Sequence, residues 1–173
     1  RGGGTRGPGA GESPVENWRA PRDSVARAEH EALAAVLQFP QLVPAGFDEL
    51  GGDVFQVPEL RAVHDAIRAA GGVSAAADSA STWVGQVREL AAPPVAGVVT
   101  ALAVEALPLR EGGEADYVKG VVTGLLQLGI TRRLGELQSQ LGRFDAARDQ
   151  AGREATFKEI DELLRRRDEL RPD

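Results

Sequence analysis

The sequence contains neither cysteine nor methionine. The first absence removes disulfides, thiolate nucleophiles and cysteine-ligated zinc sites, and it fits a cytoplasmic protein. The second extends to position 1, where the chain opens on Arg1, so the 173 residues are expected to be a piece of a longer protein. No apolar run approaches the ~20 residues needed to cross a bilayer, and the first thirty residues lack the apolar centre of a signal peptide. No membrane contact is expected. Period-two alternation bounded by turn residues is missing as well, which argues against a sheet.

Histidine is scarce, and neither of the two is placed for chemistry. His30 in "EHEALAA" begins like a zinc-protease helix, but the position that should hold the second histidine is Ala34. His64 has no ligating neighbour at helical spacing. Glu111, Glu114 and Asp116 cluster ahead of a long helical stretch, where acids oppose the helix macrodipole. No nucleophile motif accompanies either histidine. The chain is therefore read as non-catalytic, with no cofactor or metal of its own.

What is present is helical periodicity. Residues 1–22 are Gly-rich and aperiodic, the composition of a flexible interdomain linker. "GPGAGES" lacks the Lys-Ser/Thr ending of a phosphate loop. From Asp23 the apolar positions Val25, Ala28, Ala32, Leu33, Val36 and Leu37 make one stripe, capped by Asp23 or Ser24 and stopped by Pro40. A connector carries Leu42, Val43, Phe47, Leu50 and Phe55 at irregular intervals. Pro58 opens a helix with Leu60, Val63 and Ile67 inside, ending at Gly71. Ser81 is expected to cap a third, with Trp83, Val84, Val87 and Leu90 buried. Pro94 opens a fourth over Val95, Val98, Val99 and Leu102.

The pattern then changes. Tyr117, Val118, Val121, Val122, Leu125, Leu126 and Leu128 spread over a wide face, as in a helix buried in a bundle. Beyond them Ile130, Leu134, Leu137, Leu141 and Phe144 narrow to a two-helix seam. Phe157, Ile160, Leu164, Arg167 and Arg171 offer the complementary spacing. Folded back about a turn near Ala147, between Gly142 and Gly152, Leu137 should meet Phe157, Leu134 meet Ile160 and Ile130 meet Leu164. A kink near Gly129 is allowed for, since glycine weakens a helix by ~1 kcal/mol against alanine. The fold predicted is all-α: a compact bundle of short helices (23–128), then a long helix and a terminal antiparallel helical hairpin (129–173) that projects from the bundle.

Charge bears on function. The net charge is −6, but residues 29–117 carry −9, whereas 1–28 carry +2 and 118–173 carry +1. A body this acidic repels a phosphate backbone, so little direct nucleic-acid binding is expected. Arg132, Arg133, Arg143, Arg148 and Arg165 to Arg167 keep a nucleic-acid-binding domain open as one alternative, and a helical dimerisation module as another. On the last helix Arg165 and Arg166 fall on solvent stripes with acids four residues away. Arg167 falls on the apolar seam with Leu163, Leu164 and Leu170. Leu141, Phe144, Leu163, Arg166, Arg167 and Leu170 are the candidate partner-binding residues, suited to a helix-in-groove contact.

Three stretches carry a resemblance: "EHEALAAVLQFPQLV", "FDELGGDVFQVPELRAVHDAI" and the ending "FKEIDELLRRRDEL". Together they resemble the C-terminal, helicase-binding domain of bacterial DnaG-type DNA primase. That resemblance spans about residues 24–171. It implies a protein of the bacterial cytoplasm that works at the replisome, its chief partner being the N-terminal domains of the replicative hexameric DNA helicase. In some members the acidic tail of single-stranded-DNA-binding protein is a second partner. It also implies that zinc and magnesium belong to the family's N-terminal and central domains, which synthesise RNA primers.

Overall fold

The computed structural model describes residues 23–44, 46–77, 79–144 and 149–171. Six α-helices account for most of them, and no strand occurs among the described residues. Helix α1 (Ser24–Gln38) begins where the Asp23 carboxylate accepts the amides of Val25 and Ala26 at 3.0 and 3.1 Å, and it stops two residues short of Pro40. Helix α2 (Pro58–Ala69) has Pro58 in its first turn, where a missing N–H costs nothing, and it unwinds at Gly71 and Gly72, both at positive φ. Helix α3 (Ala80–Leu90) is capped by Ser79, which accepts the Thr82 amide at 3.4 Å. The expected cap, Ser81, lies one residue inside the helix. Helix α4 (Pro93–Val104) starts at Pro93, one residue ahead of prediction.

The core is assembled around α1, whose Leu33, Val36 and Leu37 are buried against α5 and α4. Leu60, Val63 and Ile67 of α2, Trp83 and Val87 of α3, and Val99 and Leu102 of α4 close around it. Leu90, expected inside, ends α3 and faces solvent at 56 % exposure. The connector packs as short 3₁₀ turns that bury Phe47, Leu50, Val54 and Phe55. Two acids tie these turns down. Glu29, fully buried on α1, accepts the Gln56 amide at 2.8 Å and the Val57 amide at 3.2 Å. Asp48 accepts the amides of Val73 and Ser74 and the Ser74 hydroxyl at 2.6 Å.

Both histidines serve this packing. His30 Nε2 lies 2.8 and 2.9 Å from the two carboxylate oxygens of Glu105, joining α1 to the end of α4. His64 is wholly buried between Phe47 and Phe55, with ring centroids 5.7 and 4.8 Å away. Its ring nitrogens have no hydrogen-bond partner among the described residues, and burial lowers its pKa from 6.5 to about 4.

Helix α5 (Glu114–Leu141) is continuous for 28 residues, about 42 Å at 1.5 Å per residue. Glu114 and Asp116 sit in its first turn. The break allowed for at Gly129 is not there. Instead Gly129 is buried against Val54, and the same helix passes from bundle to hairpin without interruption at the expected boundary of 128 and 129. Helix α6 (Gln150–Glu169) runs back along it. The expected turn position, Ala147, and the linker at 1–22 lie outside the described residues.

Candidate docking site

The two long helices pair as expected, but α6 is turned by one residue from its predicted phase. On α5, Ile130, Leu134 and Leu137 are buried, in line with the seam. On α6 Thr156 is buried and Gly152, Glu159, Leu163, Arg166 and Leu170 are half-buried; Ile160 and Leu164 of the predicted seam are half-buried as well. Gly152 lies against Phe144, where a Cβ would stand 3.0 Å from the ring edge. Thr156 is buried, its hydroxyl donating to Gly152 O at 2.8 Å. Arg133 Nε donates to Glu159 Oε1 at 2.8 Å, and its Nη1 to Glu136 at 3.2 Å. Gln127 Nε2 donates to Leu170 O at 3.0 Å. Phe157, expected to meet Leu137, is 49 % exposed.

The reason is that α6 carries two neighbouring stripes with the same alternation of three and four. Periodicity identifies a seam but cannot choose between adjacent phases when both are partly apolar. Small residues at 152 and 156 admit the closer approach, and contacts with the bundle select it. Leu170 packs against the bundle core, and Arg166 Nη2 reaches Glu49 Oε2 at 2.7 Å. The hairpin therefore does not stand clear of the bundle at its open end.

The six candidate residues are thereby sorted. Leu141 and Phe144 are half-buried at the distal end of the hairpin. Leu163 is half-buried and lines, with Leu50, Val54, Leu126 and Ile130, a crevice of about 190 Å³. Arg166, assigned to a solvent stripe, faces the bundle, and Arg167, assigned to the seam, is exposed. Leu170 is already packed on the core. Three of the arginines face acids: Arg133 is held by Glu136 and Glu159, Arg132 lies 4.0 Å from Glu136, and Arg166 is held by Glu49, while Arg143, Arg165 and Arg167 are exposed. Arg148 lies outside the described residues. Sequence reasoning missed Glu49, Glu159 and Gln127, because their partners lie far along the chain and leave no local period to read.

Among the described residues no group of three or more His, Asp or Glu is placed to hold a metal ion, and no helix is long and apolar enough to cross a membrane. The fold and this surface define an all-α bundle extended by a helical hairpin, with polar contacts such as Arg133 to Glu159 and Arg166 to Glu49 joining its elements. The chain belongs to the DNA primase DnaG DnaB-binding family, whose model matches residues 29–155. It is 34 % identical over 137 residues to the DNA primase of Mycobacterium leprae, covering 79 % of this chain and 21 % of that protein. It is 34 % identical over 152 residues to the DNA primase of Streptomyces coelicolor, covering 85 % and 23 %. The chain thus spans about a fifth of the length of the curated relatives it matches. Its structure resembles the helicase binding domain of primase from Mycobacterium tuberculosis, with a TM-score of 0.67 at 30 % identity over 83 % of this chain and 89 % of that one.

Proposed function

We propose that this chain is the non-catalytic docking domain of a bacterial DNA primase, and that it binds the N-terminal domains of the replicative hexameric DNA helicase in the bacterial cytoplasm. The observation that supports this is the architecture shared with the helicase binding domain of the Mycobacterium tuberculosis primase over most of both chains. Docking raises the effective concentration of the primer-synthesising domains at newly exposed template, coupling RNA primer synthesis to fork unwinding. Leu141, Phe144, Leu163, Arg166, Arg167 and Leu170 are proposed to meet the helicase. The acidic tail of single-stranded-DNA-binding protein is proposed as a second partner. Zinc and magnesium, in this reading, serve the other domains of the full-length primase, and this domain needs neither.

Direct DNA binding is disfavoured by the net charge of −9 over residues 29–117 and by the pairing of Arg133 and Arg166 with acids. The test is to titrate the chain against hexameric helicase, against single-stranded DNA at physiological salt, and against itself at rising concentration. Saturable binding to helicase alone is expected. Binding to DNA without binding to helicase overturns the proposal. Arg167→Glu, a reversal at an exposed position, should weaken helicase binding while leaving helicity unchanged.

A further inference from the structure

The C-terminal half of α6 is seated on the bundle in a distinctive way. It is held at points, with open space between them. Arg166 reaches Glu49, Leu170 packs on the core, and Gln127 holds the Leu170 carbonyl. Gly46, at φ +96°, leaves just the room the guanidinium needs, since a Cβ there would stand 2.7 Å from Arg166 Nη2. Around these points lie three clefts. One of about 430 Å³ runs between Gly46, Glu49 and the outer side of Arg165 to Leu170. Another of about 600 Å³ separates Leu170 and Arg171 from Lys119, Gly120 and Gly124 on α5. The third is the crevice of about 190 Å³ beside Leu163.

These clefts open to solvent, so solvent borders this end of α6 between its points of attachment. The ion pair of Arg166 with Glu49 is also screened, the two side chains being 39 % and 69 % exposed. The distal half of the hairpin is fastened separately, by Arg133 to Glu159 and by buried Thr156. The two halves of α6 are therefore held by separate sets of contacts, the condition for one to open while the other stays closed.

We infer that the last two turns of α6 form a releasable latch: seated on the bundle through Arg166 and Leu170, they withhold Leu163, Leu170 and the apolar floor of the crevice from a partner helix until that partner displaces them. The floor consists of Leu50, Val54, Leu126 and Ile130. Closure lowers the apparent affinity of the partner by the fraction of molecules that are open, and loosening the latch raises it. That the partner is the helicase rests on the function proposed above.

The chain has no cysteine, so Glu49→Cys with Arg166→Cys can be joined uniquely by a reducible bis-maleimide. The cross-linked chain is expected to bind hexameric helicase at least tenfold more weakly than the same chain after reduction. Glu49→Arg should bind severalfold more tightly than the parent, and in the absence of helicase its amides from 163 to 171 should exchange about tenfold faster. Equal affinity before and after reduction overturns the latch, and so does unchanged exchange in Glu49→Arg. If exchange quickens but no form of the chain binds helicase, the seating is upheld, while the docking function and the masking fall together.

Discussion

Gly129 of α5 lies so close to Val54 that a Cβ added to it would stand 2.8 Å from Val54 Cγ2. The glycine that on paper weakens the long helix is the point where the connector crosses it. Gly129→Ala should therefore destabilise the chain by about 1 kcal/mol, the clash outweighing the gain in helix propensity. Gly120, on the same helix with nothing within 4 Å of the added atom, should respond in the opposite sense. Gly120→Ala is expected to stabilise by roughly 0.5–1 kcal/mol. Urea denaturation of the two variants decides the matter through the direction in which the midpoint moves.

Glu29 links α1 to the start of α2 by accepting two backbone amides from a fully buried position. Glutamine keeps the volume but offers one acceptor oxygen and turns an NH₂ group toward a backbone N–H. Glu29→Gln should cost about 1–3 kcal/mol at neutral pH, the range for a buried group left without its partner. Chemical denaturation measures it, and a loss below a few tenths would show that water replaces the missing contact.

His64 makes stability depend on acid. Its folded pKa lies at about 4, chiefly because burial penalises the cation, while the unfolded chain titrates near 6.5. As pH falls the unfolded state takes up the proton first, so stability declines from about pH 6.5 downward and the full loss is reached below about pH 4. The shift corresponds to roughly 3 kcal/mol. His64→Leu removes this contribution and should flatten the pH dependence between 7 and 4 by that order, the carboxylates cancelling in the comparison with the parent.

Arg133 and Glu159 join α5 to α6 at 2.8 Å, but both side chains are 42 % exposed. Their coupling, measured by a double-mutant cycle to alanine, should come to about 0.2–1 kcal/mol and shrink as salt is raised. A coupling that is large and insensitive to salt would mean the pair is shielded from solvent.

Much of the fold is legible in the chain without the structure. Asp23, Pro40, Pro58 and Gly71 mark helix ends because capping and φ restriction act within a turn of the residue concerned. The apolar stripes of α1 and α2 and the wide face at the start of α5 identify the core, since burial follows helical period. The change from a wide face to a narrow seam after Leu128 announces the hairpin. The stop signals are less exact where two candidates adjoin, as with Ser79 and Ser81 or Pro93 and Pro94.

The phase of α6 is of another kind. Phe157, Ile160 and Leu164 form a seam as regular as Thr156, Leu163 and Leu170, and nothing local separates them. The decision rests with Glu49 on the connector, with the bundle core that takes Leu170, and with the steric room at Gly152 and Gly46. By itself the sequence determined the helices, their ends and the identity of the hairpin, all governed by interactions a few residues long. Which face of α6 turns inward, and which arginine meets the bundle, only the tertiary structure decided, because both depend on groups that folding alone brings together.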